Sequence, residues 1–452
     1  MRGEAGKFPL DAASVRAAGR SLARHLTEKL GRAPLVVTGR DTRESGEWIE
    51  RALLEGARRA GARVESAGVI TTPGVAYLAR TLPADAGVVV SASHNPFQDN
   101  GIKIFAPDGR KLDDATERQI EADIYAERER VVEESQAVSE SPDSGDSRPD
   151  DSRSSELRAR YLDYLAEGVA AGLDLAGFKV VVDCANGAAS ELAPALLARL
   201  GAQVVATGNA PDGRNINLGC GSLHMDALQR RVVEEGAHLG VAYDGDADRS
   251  LFVDARGQLA DGDAALWVLA GRMQERGELV GDRVVATVMS NIGLELALRS
   301  RGVELLRADV GDKYVLEELL RTGATLGGEQ SGHIIFPRLS LAGDGMITTV
   351  NLLRAMRESG RALHELTEGF ERFPQVLVNV RVREKRPFNE VAEVARAARE
   401  VQSRLGERGR LLLRYSGTEP LARVMIEGQS QEEIERLAEV LASVIRESLG
   451  EG

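Results

Sequence analysis

Cysteine is nearly missing: Cys184 and Cys220 are the only two in 452 residues. Two thiols are too few for a disulfide framework, and these lack metal-ligand spacing. Basic residues are outnumbered, 57 Lys and Arg against 70 Asp and Glu, for a formal net charge of −13. That balance argues against a nucleic-acid footprint. An anionic ligand would have to be drawn in by local basic loops rather than by the field of the whole molecule. Long apolar runs are lacking as well. The opening residues MRGEAGKFPLDAAS hold no apolar stretch of signal-peptide type, and no run reaches membrane-spanning length. A small-residue turn follows the strand signal at 178–183, but no G-x-G-x-x-G and no P-loop lysine is present, which removes a nucleotide site there. These absences lead us to expect a cytoplasmic protein with neither nucleic-acid nor membrane partners.

What is present is 43% hydrophobic residues, enough for real cores, in a chain too long for one ordinary domain. Strand and helix signals alternate. Helical spacing runs over 12–30 and stops at Gly31. A strand at 34–38, a helix at 45–60, a strand at 64–70 and a helix start at Thr71-Thr72-Pro73 follow. The alternation predicts an α/β fold, with parallel or mixed sheets carrying helices on their faces. It divides into segments 1–157, 158–257 and 258–370. A smaller α+β unit at 371–452 has strands at 375–382, 410–414 and 422–427 and helices at 389–405 and 431–449. Residues 133–155 are rich in Ser and Asp and almost free of apolar side chains, which predicts a disordered insertion.

Four loops carry chemistry. In the first, the apolar run Val88-Val89-Val90 breaks into Ser91-Ala92-Ser93-His94-Asn95-Pro96. That places a hydroxyl and an imidazole on a strand-end loop, where α/β proteins put function. Taken alone, such a pair is usually a satisfied turn. Asp99-Asn100-Gly101 then reads as a turn and 102–105 as a second strand. In the second, Asp244-Gly245-Asp246-Ala247-Asp248-Arg249 follows a strand. Carboxylates at i, i+2 and i+4 repel one another unless a cation neutralises them, and an all-oxygen set suits a hard divalent ion such as Mg²⁺. An EF-hand needs glycine and glutamate where Arg249 and Ala255 stand, which leaves a solvated acidic turn as the other reading. In the third, Gly327-Gly328-Glu329-Gln330-Ser331-Gly332-His333 sets a carboxylate and a hydroxyl on one side of an extended loop. This suits paired sugar hydroxyls or simply a structural turn. In the fourth, Arg414-Tyr415-Ser416-Gly417-Thr418, with Arg423 beyond it, flanks one loop with guanidinium, hydroxyl and backbone N–H donors. A phosphate dianion needs these, although a hairpin with solvated arginines would read the same way.

The four loops in this order resemble the α-D-phosphohexomutases over nearly the whole chain. SASHNPFQDNGIK, Gln330 and the Asn215 loop look most like the glucosamine branch of that family. The resemblance implies four domains around a central cleft, three of them alike and the fourth smaller. It implies that Ser93 is carried as phosphoserine and that Ser93, Asp244, Asp246 and Asp248 bind Mg²⁺. Lys103 becomes the acid/base candidate, with His94 beside it, and a lysine in that role would need its pKa lowered by its neighbours. Arg249, Lys313, Glu329, Ser331, His333, Arg414, Ser416, Gly417, Thr418 and Arg423 become substrate ligands.

The implied reaction interconverts glucosamine 6-phosphate and glucosamine 1-phosphate through a 1,6-bisphosphate. Glucosamine 1,6-bisphosphate or glucose 1,6-bisphosphate would be the activator, the phosphosugar the one small-molecule partner, and a homodimer the candidate assembly. Two alternatives stay open: glucose or mannose phosphate as substrate, or an inactive phosphosugar-binding protein. One departure stands out. The family normally opens with a strand and a Gly-Thr-x-Gly-x-Arg-Gly loop, and Met1-Arg2-Gly3 looks like the tail of that loop. Arg2 is then a candidate active-site arginine, and a shortened start is the expectation.

Overall fold

The computed structural model describes residues 1–134, 151–417 and 419–450. The first sheet holds β1 (Arg2–Glu4), β2 (Leu35–Arg40), β3 (Arg63–Val69), β4 (Ala86–Val90) and β5 (Asp99–Phe105), in the order β1-β5-β4-β2-β3. β2 runs parallel to β3 and β4, and β5 returns antiparallel between β4 and β1. Side chains alternate across β4. Val88 and Val90 join a core beneath the helices Ala12–Leu30 and Gly46–Arg59, whereas Val89 joins the core on the other face. Those two helices touch at a glycine notch: a Cβ on Gly19 would lie 2.0 Å from the Leu53 carbonyl oxygen, and one on Gly56 2.0 Å from that of Arg16. The first of these helices opens on an Asp11 cap and closes on left-handed Gly31.

The second sheet holds β6 (Lys179–Asp183), β7 (Gln203–Thr207), β8 (Leu239–Tyr243), β9 (Ser250–Asp254) and β10 (Leu259–Ala260), in the order β10-β9-β8-β6-β7. The third holds β11 (Arg283–Thr287), β12 (Glu304–Ala308), β13 (Gly327–Gly328) and β14 (Ile334–Ile335), in the order β12-β11-β13-β14. One continuous apolar core joins these three layers, from Leu35 to Leu366. The last sheet is antiparallel: β15 (Gln375–Arg381), β16 (Arg410–Tyr415) and β17 (Leu421–Glu427), with β17 central. The helices Ala392–Leu405 and Gln431–Leu449 cover it over a core of its own. Each layer sends one of the four loops from the C-terminal end of a strand: β4, β8, β13 and β16. Among the described residues, no helix is long and apolar enough to cross a membrane.

Two sequence expectations need correction. Asp99-Asn100-Gly101 is not a turn but the start of β5, paired with β1, and Asn100 is fully buried. The turn lies earlier, where Asp99 N donates to the Pro96 carbonyl at 3.2 Å. The predicted insertion at 133–155 is helical at both ends. One helix reaches Glu134 and the next spans Asp151–Asp163, while 135–150 lie outside the described residues. Its second end is ordered because Ser154, Leu157 and Tyr161 form one buried stripe, and Ser154 Oγ donates to the Ser66 carbonyl at 2.7 Å. The helix Asp151–Asp163 runs on into a π-helix over Tyr164–Val169. β9 was not anticipated. It folds back on β8, which makes the aspartate loop the connection of a hairpin.

Candidate active site

Ser93 sits in the left-handed region at φ 54°, 3% exposed, on the loop leaving β4. A non-glycine residue holds that conformation only when its surroundings fix it. Here they do. Arg43 Nη2 donates to the carbonyls of Ser93 and Asn95 at 3.2 and 2.6 Å, and Asn217 Nδ2 donates to the same two at 2.9 and 3.0 Å. Gly245 closes the other side, where a Cβ would lie 2.5 Å from the Ser93 carbonyl oxygen. The clamp aims the hydroxyl at the second layer: Ser93 Oγ donates to Asp244 Oδ2 at 2.5 Å, while His94 Nδ1 lies 3.4 Å from it.

The three aspartates bring carboxylate oxygens within 4.8 Å of one another, and all three residues are buried. Lys103 reaches in from β5, with Nζ 2.6 Å from Asp246 Oδ2 and 3.3 Å from Asp248 Oδ2. Thr72 Oγ1 donates to Asp246 Oδ2 at 2.5 Å. His333 Nδ1 stands 3.6 Å from Asp248 Oδ1, and Arg249 Nε stands 3.8 Å from it. Asp246 Oδ1 and Asp248 Oδ1 are buried and accept no hydrogen bond. Buried acceptors without donors are costly, and a hard cation satisfies them. The donor set therefore fits a divalent metal.

The electrostatics follow from the packing. Burial, then Asp248 and Asp246, push the Asp244 carboxyl well up. Burial acts the same way on Asp248, but Lys103, His333 and Arg249 outweigh it and hold that carboxyl well below the usual range. Burial pulls Lys103 down, yet Asp246 and Asp248 overcome it and the ammonium is held charged. This is opposite to the lowering expected from sequence. His94 goes down, through burial first and then Arg249 and Arg2. Arg2 itself is exposed on β1 at the sheet edge.

In the third layer, Glu329 Oε1 accepts from Gly311 N at 3.1 Å, and Ser331 Oγ lies 3.5 Å from Glu329 Oε2. This loop is joined to the aspartate hairpin through Ser250 N, which donates to the Gly332 carbonyl at 3.1 Å. Gly332 has φ +88°, and a Cβ there would come within 2.3 Å of the Ser250 carbonyl oxygen. His333 is 5% exposed, behind the loop. Lys313 is exposed, and its Nζ donates to Asp114 Oδ1 at 2.5 Å. In the fourth layer, Arg414 and Arg423 are direct cross-strand partners. Like charges in that position repel unless an anion lies between them. Arg423 Nη2 donates to Ser416 Oγ at 3.3 Å, and its Nε is buried without a partner. Gly417 follows, and Thr418 lies outside the described residues. Lys385 Nζ, not singled out from sequence, donates to the Ser416 carbonyl at 2.7 Å. Thr72, and the clamping role of Arg43 and Asn217, were missed as well.

A buried hydroxyl bonded to a carboxylate cluster, in a chain whose last layer carries a pair of cross-strand arginines, is equipped for phosphoryl transfer rather than for Ser–His hydrolysis. Comparison with known proteins agrees. Four signatures match in order: phosphoglucomutase/phosphomannomutase α/β/α domain I over residues 1–131, domain II over 159–257, domain III over 261–373 and the C-terminal domain over 377–444. A phosphoglucosamine mutase from Solibacter usitatus is 48% identical over 453 residues, covering 100% of this chain and 98% of the relative. One from Nocardia farcinica is 49% identical, covering 91% and 90%. Among solved structures, a phosphoglucomutase/phosphomannomutase family protein from Burkholderia thailandensis superposes with a TM-score of 0.78 at 25% identity, covering 99% of this chain and 96% of that one. An N-acetylphosphoglucosamine mutase from Aspergillus fumigatus, solved with GlcNAc-6P and magnesium, gives 0.62 at 21%, covering 83% and 92%. The chain belongs to the phosphoglucomutase/phosphomannomutase family and is a mutase of the isomerase class.

Proposed function

We propose that this enzyme interconverts glucosamine 6-phosphate and glucosamine 1-phosphate. The observation that carries the reading is the Ser93–Asp244 contact, in a chain whose full-length relatives at 45–49% identity are phosphoglucosamine mutases. Ser93, carried as phosphoserine, gives its phosphoryl group to the free sugar hydroxyl. The P–O bond to Ser93 Oγ breaks, and one to the substrate oxygen forms. The substrate hydroxyl loses a proton and Ser93 Oγ gains one, so the step balances. The resulting 1,6-bisphosphate turns over in the cleft, and the reverse step returns the other phosphoryl group to Ser93.

Two groups beside Ser93 have pKa values pushed apart, the pattern of an acid and a base. His94, whose pKa is lowered, can accept a proton, whereas Lys103 would donate one only when a cation among the aspartates relieves the hold of Asp246 and Asp248 on its ammonium. Asp244, Asp246 and Asp248 would hold Mg²⁺, which when bound supplies charge stabilisation for the transferring group. Arg414 and Arg423 grip the phosphate that is not reacting, and Glu329 with Ser331 holds sugar hydroxyls. Bisphosphate that escapes leaves Ser93 bare, which makes glucosamine or glucose 1,6-bisphosphate the activator.

The test is steady-state turnover of glucosamine, glucose and mannose phosphates, with intact mass measured in parallel. The expected result is highest kcat/KM on glucosamine 6-phosphate, with one added phosphoryl group that is absent from Ser93→Ala along with the turnover. Higher efficiency on glucose or mannose phosphate overturns the substrate. Turnover that survives in Ser93→Ala overturns the carrier.

A further inference from the structure

The cleft is useful only if the arginine pair of the last layer stands at the right distance from the sugar loop of the third. Several of the bonds that join the two layers meet at Asn291 or at its neighbours Ser290 and Ile292. The Asn291 side chain is fully buried. Oδ1 accepts from Gly293 N at 2.9 Å, capping the helix Ile292–Ser300, and from Phe373 N at 2.9 Å. Nδ2 donates to the Phe373 carbonyl at 2.9 Å and to Glu427 Oε1 at 3.3 Å. Its backbone N donates at 2.8 Å to Asp263 Oδ2, which also accepts from Gln330 Nε2 of the sugar loop at 3.4 Å. One residue thus touches the helix carrying the third layer, the passage into the last layer at Phe373, the last layer's own Glu427 and, through Asp263, the sugar loop.

Glu427 is fully buried and paired with Arg410 at 2.8 Å, while Arg410 Nη2 also donates to the Ser290 carbonyl at 3.0 Å. Arg410 and Glu427 are cross-strand partners at one end of β16 and β17, and Arg414 and Arg423 are partners four residues further along. The hairpin is a lever. Four residues of strand make an arm of roughly 13 Å, so a tilt of roughly 5° at the anchored end moves the guanidinium pair by about 1 Å.

We infer that Asn291 is a positioning residue: it fixes the angle at which Arg414 and Arg423 face Glu329 and Ser331. The inference rests on the reading that the substrate is held at both ends. Asn291→Ser separates this role from helix capping, because serine caps well but cannot span to Phe373 and Glu427. A ligand held at both ends should suffer, whereas inorganic phosphate, which needs only the arginine pair within one layer, should not. In the magnesium-loaded enzyme, the KM for glucosamine 6-phosphate should rise on the order of 10-fold with a smaller change in kcat, while the Ki of inorganic phosphate stays at the parent value. Glu427→Gln should move the same two numbers in the same directions by less, and serves if Asn291→Ser folds poorly. A purely structural role makes both ligands weaken together; that result, or an unchanged KM in a folded variant, overturns the inference. If the parent shows no turnover, the activity proposal fails. Calorimetric binding of the same two ligands to parent and variant then still decides the role of Asn291.

Discussion

Replacing Lys103 by methionine removes a charge from between buried carboxylates while keeping the length of the side chain. Lys103 is 16% exposed and its partner Asp246 fully buried, so water can replace little of the lost interaction. Asp248 loses its nearer cation too, leaving Arg249 at 3.8 Å and His333 at 3.6 Å. Breaking a buried pair from one side costs about 3–5 kcal/mol. Spread over a core as large as that of the first three layers, this is a fall in melting temperature of roughly 4–6 °C. The assay is a thermal melt of parent and Lys103→Met, each in chelator and each in saturating magnesium. A divalent ion among the aspartates supplies the missing positive charge, so the gap seen in chelator should shrink by at least half when magnesium is present. Activity should not return with stability, because the proton donor is gone; kcat stays down by about 100-fold or more. A variant that melts with the parent in chelator, or a gap that magnesium leaves untouched, refutes the idea that Lys103 and a metal share the same carboxylates.

Other outcomes follow from the same structure. Arg423→Ala should raise KM by about 10–100-fold through loss of a charged phosphate contact, without lowering the melting temperature, because Arg414 loses a like-charged neighbour. Burial, then Asp261, raises the Asp263 carboxyl to about 7, so the native state keeps a proton that the unfolded chain has already released. Stability of the parent should therefore fall as pH rises from about 4 to 7, and Asp263→Asn, which cannot titrate, should gain on it by up to about 4 kcal/mol by pH 8. Parallel stability profiles for the two proteins would contradict that assignment.

The strands ending at Val90, Tyr243 and Tyr415 announce themselves through apolar runs that break into small or polar residues, and the three aspartates through spacing alone. What surrounds them is set by contacts between distant segments. Arg43 and Asn217 meet the Ser93 carbonyl from 50 and 124 residues away, and Thr72 meets Asp246 across 174. No local pattern encodes such pairings. The same distance explains the reversal at Lys103, whose charge is held by carboxylates from another layer. Asp99-Asn100-Gly101 has turn chemistry locally, yet pairing with β1 recruits it into a strand: tertiary contact outweighs propensity.

The shared core has a consequence for how the chain is made. Its members run from Leu35 to Leu366, so the first three layers cannot finish burying their apolar faces until just over four-fifths of the polypeptide has left the ribosome. The last layer needs only its own residues between Val380 and Leu449, and can collapse as soon as they emerge. The nascent enzyme therefore spends most of its synthesis with exposed apolar surface at its N-terminal end, the phase in which a chaperone would be needed.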